Sequence, residues 1–202
     1  KGNPVVTIID YGMANLGSVR KAFEAVGAAA EIVDSPEDLR DASHIVLPGV
    51  GAFGDAMKNI CARGIDEAIF EAIENGASFL GICLGLQVLF TESEEKGIHK
   101  GLGIFKGSVR LFSEGLVPQI GWNQAHIKRK DPLMEGIPDH SYFYFVHSYY
   151  VDPENNKDVI AETDYYIDYA SIIGRDRIYG IQFHPEKSQH NGLRILKNFI
   201  KM

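Results

Sequence analysis

Short apolar runs alternate with amphipathic patterns through the first half of the chain. Short continuous or alternating apolar runs predict strands, and apolar residues three or four positions apart predict helices. The predicted strands are residues 4–10, 28–34, 44–51 and 78–83, and the predicted helices are residues 15–27, 35–42, 55–76 and 84–95. Strands separated by helices form parallel sheets covered on both faces, so this half predicts an α/β fold.

The pattern changes from about Gly101, where strand-like segments follow one another with few helical periods. Such a succession predicts antiparallel or mixed sheet. The segments are residues 102–112, 119–128, 142–151, 158–165 and 170–183. Residues 191–202 return to helical spacing and predict a closing amphipathic helix. No repeat or linker interrupts the sequence, so we expect a single domain over residues 1–202.

Charge and composition exclude some classes of function. With 20 basic and 27 acidic residues the net charge is −7, which opposes binding to a nucleic-acid backbone. No window is apolar enough to span a membrane, and the first residues lack a signal-sequence pattern, so we expect a cytoplasmic protein. The two cysteines, Cys61 and Cys83, lie far apart and predict no disulfide framework.

Cys83 stands between two glycines where an apolar run meets a helical pattern. A lone cysteine in an apolar run is usually a buried structural residue, and this is the first interpretation of Cys83. However, Gly81-Ile82-Cys83-Leu84-Gly85 matches the nucleophile-elbow pattern, in which a side chain stands on a sharp strand-to-helix turn. A helix N-terminus would also favour the thiolate. The second interpretation of Cys83 is therefore a nucleophile.

The segment "IQFHPEKS" offers a base for such a nucleophile. Pro185 favours extended geometry at His184, so His184 and Glu186, two residues apart, should project to the same side. A carboxylate that holds one imidazole nitrogen leaves the other to accept a thiol proton. The alternative is a histidine that ends a strand beside a solvated glutamate.

The glycines of "LPGVGAFG" could form an oxyanion hole. Gly49 and Gly51 would free the intervening peptide to aim the Val50 N–H at a developing negative charge, with the Leu84 N–H as second donor. A plain tight turn is the alternative. A phosphate loop fits neither here nor at residues 12–19.

No spacing typical of a metal site occurs. The seven histidines show no H-x-x-x-H pair and the two cysteines no C-x-x-C pair, so we expect no metal and no cofactor. Cys61 lies within a helical pattern and is interpreted as a buried structural residue.

Taken together, "PGVG", "GICLGLQ" and "HPE", in that order, resemble the class I (triad) glutamine amidotransferases over essentially the whole chain. The resemblance implies a three-layer, flavodoxin-like α/β fold, with a mostly parallel central sheet and additional antiparallel strands in the second half. It implies Cys83 as nucleophile, His184 as base and acid, and Glu186 as the orienting carboxylate. The carboxylate follows the histidine, whereas an α/β-hydrolase has its acid before the histidine.

The same resemblance assigns the substrate site. Gln87, Ser148 and Tyr149 match family positions that hold glutamine, the last two through main-chain groups. Two residues depart from the pattern. Ala14 stands where glycine is usual in the first loop, and Leu86 stands where methionine is common.

Five segments resemble one branch of the family, in which the glutaminase works with a (β/α)8-barrel cyclase. They are "DYGMANLGSV", "PGVGAFGDAM", "QIGWN", "YFVHSYY" and "FHPEKS". This resemblance implies a heterodimer in which ammonia passes to the cyclase, with Trp122, Tyr144 and Lys187 at the interface. Core aromatics and a solvated lysine are the alternative for these three residues. The alternative functions are a glutaminase that serves a different acceptor enzyme and a non-catalytic binding module.

Overall fold

A computed structural model describes residues 2–202. The strands are β1 (Val5–Ile9), β2 (Ala29–Val33), β3 (His44–Leu47), β4 (Ser78–Ile82), β5 (Phe90–Ser93), β6 (His99–Lys100), β7 (Phe105–Leu111), β8 (Gln119–Ile127), β9 (Ser141–His147), β10 (Tyr149–Pro153), β11 (Val159–Tyr165), β12 (Ile167–Arg175) and β13 (Ile178–Ile181). The helices are α1 (Leu16–Ala25), α2 (Phe53–Ala62), α3 (Ile65–Glu74), α4 (Leu84–Gln87) and α5 (Gln189–Phe199). Within the described residues, none of the helices has the length and apolar character to cross a membrane.

One sheet runs through the molecule, and its first part is parallel. Strands β2, β1, β3, β4 and β13 lie side by side in that order and in parallel. This is the order of the flavodoxin-like doubly wound sheet, in which ligands bind beyond the carboxyl ends of the strands. The remaining strands join mainly through antiparallel pairs, beginning with β12 beside β13. The predicted α/β fold with additional antiparallel strands is confirmed.

Helices cover both faces of the parallel part. Alternate residues of the central strands divide between two apolar clusters, because successive strand side chains point to opposite faces. On β3, Val46 packs with the cluster that contains α1 and α5, whereas Ile45 and Leu47 pack with the cluster that contains α2 and α3. The fold is thus a three-layer sandwich with its core on either side of the sheet.

Glycines lie at two helix boundaries, one that the sequence pattern predicted and one that it did not. Helix α1 ends just before Gly27, where φ is +88° and the Ala28 N–H bonds to the Phe23 carbonyl, a normal helix C-terminus. The single helix predicted over residues 55–76 is instead two helices. Gly64 adopts φ +69° between α2 and α3, a conformation that breaks the helical pattern.

The helix predicted over residues 84–95 was wrong beyond its first turn. Helix α4 ends at Gln87, and Phe90 begins β5, which pairs in parallel with β7. Residues 84–90 are buried on every side, so they carry no amphipathic pattern. The Leu102 and Phe105 N–H groups bond to the Val88 and Leu89 carbonyls, which replaces helical bonding by sheet-like bonding.

Two predicted strands are each divided in the structure. Residues 142–151 divide at Ser148 into β9 and β10, and residues 170–183 contain the β12–β13 hairpin, whose turn places Asp176 at φ +58°. Cys61 is also a correction, because it is exposed on α2 rather than buried. Its neighbour Ile60 occupies the buried face of that helix.

Candidate active site

The candidate site is a cavity of about 460 Å³ beyond the carboxyl ends of β3, β4 and β13. That size suits a small amino-acid substrate. Its lining comes from the glycine loop, the elbow, the β5–β6 turn, the β9–β10 junction and the segment after β13. The residues are Val50, Gly51, Ala52, Cys83, Leu84, Gln87, Glu95, Lys96, Val146, His147, Ser148, Tyr149, His184 and Lys187. The structure therefore brings together residues from every segment that the sequence singled out for chemistry.

Cys83 occupies a strained turn between β4 and α4. Its backbone has φ +55° and ψ −111°, a region that side-chain-bearing residues rarely adopt. The Cys83 N–H donates to the Ile181 carbonyl at 2.7 Å, and the Cys83 carbonyl accepts from the Leu86 and Gln87 N–H groups. These bonds hold the strained turn in place. Such strain is typical of a functional residue and is not expected of a merely structural cysteine.

The two glycines beside Cys83 are required for space. A Cβ on Gly81 would collide with the Gly85 carbonyl oxygen, and a Cβ on Gly85 would collide with the Leu47 carbonyl oxygen. From the elbow motif alone, these glycines would be expected to permit the sharp turn of the backbone. In the structure Cys83 itself takes the left-handed backbone, and the glycines let α4 pack closely on β3 and β4.

His184 and Glu186 face each other as a buried pair. His184 Nδ1 lies 2.8 Å from Glu186 Oε1, and both side chains are almost fully buried. His184 has the extended backbone expected before a proline, but Glu186 lies in a 3₁₀ turn, Pro185–Lys187. The pair thus forms because the chain turns at Pro185, and simple strand alternation does not explain it.

The surroundings of His184 favour its protonated form. Burial alone would lower the pKa of His184, but the nearby Cys83 thiol and the hydrogen-bonded Glu186 carboxylate outweigh burial. The net effect raises the pKa of His184 above 6.5. An imidazole with a raised pKa, close to a thiol, is suited to take the thiol proton and leave a thiolate.

The peptide groups of the predicted oxyanion hole are both engaged within the protein. The Val50 N–H donates to the Met13 carbonyl at 2.7 Å, and the Leu84 N–H donates to the Gly49 carbonyl at 3.2 Å. Gly51 has φ +113°, which only glycine adopts readily. In this conformation of the loop, neither N–H is free to receive a developing negative charge.

The three residues predicted to hold the substrate converge on the cavity. Gln87 Nε2 donates to the Tyr149 carbonyl at 3.1 Å and to Gln182 Oε1 at 3.2 Å. The Ser148 carbonyl accepts from the Phe112 N–H at 3.2 Å, so it is tied to the sheet. These bonds fix the β9–β10 junction against the elbow helix.

Sequence reasoning missed two buried residues of the candidate site. Gln182 Nε2 lies 3.8 Å from Cys83 Sγ. Gln182 is two residues before His184, and that spacing was the signal that could have found it. His147 also lines the cavity. Burial lowers the pKa of His147 to about 4, against the opposing effect of its hydrogen bond to the Tyr149 carbonyl, so this histidine stays neutral.

An exposed apolar surface borders the cavity on the β8–β9 hairpin. We call it the hairpin face, and it consists of Ile120, Trp122, Tyr142 and Tyr144. Trp122 pairs across the strands with Tyr144, the rings meet edge to face at 5.9 Å, and Trp122 is 47% exposed. Lys187 is exposed at the rim of the cavity. Monomeric proteins rarely expose contiguous apolar patches unless the patch binds a partner.

Comparisons with known proteins agree with this geometry. The sequence profile of the family "Glutamine amidotransferase class-I" matches residues 7–202. The protein "Imidazole glycerol phosphate synthase subunit HisH" of Syntrophotalea carbinolica is 50% identical, over 96% of this chain and 98% of its own. The protein of the same name from Aquifex aeolicus is 51% identical, over 95% of this chain and 94% of its own.

Solved structures with low sequence identity share the fold. PurLQS from Thermotoga maritima superposes with a TM-score of 0.81 at 19% identity, over 98% of both chains. A glutamine amidotransferase from the same organism gives a TM-score of 0.67 at 20% identity, over 92% of this chain and 77% of its own.

Proposed function

Because the chain belongs to the glutamine amidotransferase class-I family, we propose that it is the glutaminase subunit of an imidazole glycerol phosphate synthase. It hydrolyses glutamine to glutamate and ammonia. The ammonia passes to a (β/α)8-barrel cyclase subunit of the HisF type, which forms imidazole glycerol phosphate and an aminoimidazole carboxamide ribotide. The observation that carries the proposal is the strained Cys83 beside a histidine that Glu186 holds.

The reaction begins at Cys83. His184 takes the thiol proton, and the thiolate attacks the side-chain amide carbon of glutamine. His184, now protonated, gives that proton to the departing nitrogen, so ammonia leaves and a γ-glutamyl thioester remains on Cys83. Glu186 stabilises the imidazolium and fixes its orientation. Water, deprotonated by His184, then hydrolyses the thioester to glutamate and restores the thiol.

The resting glycine loop supports a regulated enzyme. A tetrahedral intermediate needs hydrogen-bond donors at its oxyanion, yet the Val50 N–H is bonded to Met13. Rotation of the Gly49–Val50 peptide would release the Val50 N–H and also withdraw the Gly49 carbonyl from the Leu84 N–H. Binding of acceptor to the partner activates the glutaminase by favouring this rotated loop. The free subunit is then nearly inactive, which prevents waste of glutamine.

The hairpin face is the proposed docking surface for the cyclase. Trp122 and Tyr144 supply aromatic anchors of the kind that contribute most to binding energy at protein interfaces. Lys187, beside the catalytic pair and at the rim of the cavity, is exposed and can meet an acidic group of the partner. Val146 belongs to both the β8–β9 hairpin and the cavity, so ammonia would leave close to this surface. A cytoplasmic location accords with this biosynthetic role.

Covalent labelling tests the nucleophile. A diazoketone analogue of glutamine should alkylate Cys83 in the complex with the cyclase and an acceptor analogue, and excess glutamine should protect it. Cys61 is a natural control, because it is an exposed thiol outside the cavity. Equal labelling of both cysteines, or glutamine hydrolysis that persists in Cys83→Ala, would contradict the proposed role of Cys83.

If Cys83 were labelled equally with and without the cyclase, the chain would still be a glutaminase, but one that serves another acceptor enzyme. Failure of labelling in every mixture, with the fold intact, would favour the non-catalytic binding module.

A further inference from the structure

Two histidines and an aspartate meet at the end of the β8–β9 hairpin that is remote from the cavity. In the register of this hairpin, Gln119 lies opposite His147 and Ala125 lies opposite Ser141. Continuing that register by one residue places His126 opposite His140. Their rings accordingly stack at 4.7 Å between centroids, with 8° between the ring planes.

Both imidazoles present a nitrogen to the same carboxylate oxygen. His126 Nδ1 lies 3.0 Å from Asp139 Oδ2, and His140 Nε2 lies 3.6 Å from it. All three donor atoms lie within 4.8 Å of one another. Two ligand atoms bound tetrahedrally to Zn²⁺, each at about 2.1 Å, are about 3.4 Å apart. The donor atoms are therefore already near the separation that a shared metal ion requires.

The backbone fixes Asp139 in place. Asp139 Oδ1 accepts the Ile127 N–H at 2.7 Å and the His140 N–H at 2.9 Å, which leaves Oδ2 turned to the imidazoles. Carboxylates that bind metals are commonly held by outer hydrogen bonds of this kind.

We propose that His126, Asp139 and His140 bind a divalent transition-metal ion, with Zn²⁺ as the probe. Two imidazole nitrogens and one carboxylate oxygen suit Zn²⁺, Ni²⁺ or Cu²⁺ and do not suit Mg²⁺ or Ca²⁺, which prefer oxygen ligands. The fourth position is open to water. Both imidazoles are about half exposed, so each ring can turn about its Cβ–Cγ bond out of the stack and toward the ion.

The site is independent of the catalytic residues. His126 shares its strand face with Ile120 and Trp122 and lies four residues beyond Trp122, about 13 Å along β8. An ion there would sit at one end of the hairpin face. Spacing patterns along the sequence miss this site, because His126 lies on β8 while Asp139 and His140 lie in the turn before β9, and the hairpin brings them together.

Titration calorimetry with Zn²⁺ tests the proposal. The chain should carry Cys61→Ser and Cys83→Ser, because a thiol beside an imidazole is itself a metal ligand. We expect a single Zn²⁺ per chain, and at least about tenfold weaker binding in His126→Gln, in His140→Asn and in Asp139→Asn. Asparagine suits position 140, where φ is +60°, and Asp139→Asn keeps an oxygen for the two N–H groups. His190→Gln, an exposed histidine on α5, is the matched control and should bind Zn²⁺ unchanged.

Nuclear magnetic resonance of the imidazole groups gives a second readout that needs no ligand variant. Zn²⁺ should shift the ring resonances of His126 and His140 and leave those of His190 in place. The proposal is overturned if Zn²⁺ does not bind saturably below about 1 mM, or if His126→Gln and His140→Asn bind it as well as the parent chain does. Shifts confined to other histidines would overturn it equally.

Discussion

At the scale of single residues, Cys83 combines a strained backbone with the proposed role of nucleophile. The backbone of Cys83, at φ +55° and ψ −111°, is one that glycine adopts freely and other residues adopt at a cost of roughly 1–3 kcal/mol. The elbow motif by itself predicts a sharp turn at Cys83. It does not reveal that Cys83, rather than a neighbouring glycine, adopts the unfavourable backbone.

Because the backbone of Cys83 is strained, a substitution at position 83 can abolish activity and still increase the stability of the fold. Cys83→Gly and Cys83→Ala both remove the thiol and should both abolish glutamine hydrolysis. Cys83→Gly should also raise the free energy of unfolding above that of Cys83→Ala by about 1 kcal/mol, because only the glycine relieves the backbone. Urea unfolding of the two variants measures this difference. A Cys83→Gly protein less stable than Cys83→Ala would show that the turn is not strained.

A buried histidine predicts acid sensitivity. The pKa of His147 is about 4 in the folded chain, against 6.5 for an ordinary histidine. Between these pH values the unfolded chain binds more protons than the folded chain, so stability falls as pH falls. His44, whose pKa burial also lowers, acts in the same direction. The raised pKa of His184 affects stability in a different pH range. Its contribution to stability is complete below pH 6.5 and is lost only at higher pH.

The test compares unfolding free energies at pH 7 and pH 5. The parent chain should lose about 2 kcal/mol through His147 alone over this interval. His147→Gln should lose correspondingly less, and His190→Gln should behave as the parent chain does. If His147→Gln were as acid-sensitive as the parent chain, the pKa of His147 would not be depressed in the folded state.

At the scale of elements, two helix glycines are expected to respond to alanine substitution with opposite changes in stability. Gly85 is the second residue of the elbow helix α4 and faces β3, where a Cβ would collide with the Leu47 carbonyl oxygen. Gly17 lies in α1 with open space around it. Gly85→Ala should therefore destabilise the chain by several kcal/mol, whereas Gly17→Ala should stabilise it by about 0.5–1 kcal/mol through helix propensity.

Thermal unfolding of both variants measures the contrast. A neutral Gly85→Ala would mean that α4 can shift away from β3, which would remove the packing reason given for this glycine. A destabilising Gly17→Ala would contradict the open space found around α1.

The elements also show which parts of the fold the sequence can specify. Strands β1, β2 and β3 and helix α1 are predictable because local patterns and a glycine stop signal agree. The helix predicted over residues 84–95 failed because its apolar residues pack on all sides in the core. Their carbonyls bond to residues 102 and 105, and no local pattern contains that information.

The candidate site is predictable to a similar degree. Cys83, His184 and Glu186 follow from motifs, because their chemistry demands particular residue types in a particular context. Gln182 and His147 reach the cavity only through the sheet. The bond from the Val50 N–H to Met13 depends on which way one peptide faces, and the glycines on either side permit both ways.

At the scale of the whole molecule, the hairpin face predicts the behaviour of the complex. Trp122 is exposed, while most large apolar residues of the described chain are buried. Trp122→Ala should weaken binding to the barrel cyclase at least about thirtyfold, which corresponds to about 2 kcal/mol. Phe70→Ala, an exposed aromatic residue on α3, is the control and should leave the affinity unchanged. Equal effects of the two substitutions would place the interface elsewhere.

We propose that this chain is a glutaminase held inactive until its partner is loaded with acceptor. The most direct measurement is the rate of glutamate release by the chain alone, with the cyclase, and with the cyclase and an acceptor analogue. We expect a low rate for the free chain and a rise of about a hundredfold in the loaded complex, the size of a strong allosteric coupling. A free chain that released glutamate as fast as the loaded complex would contradict this proposal.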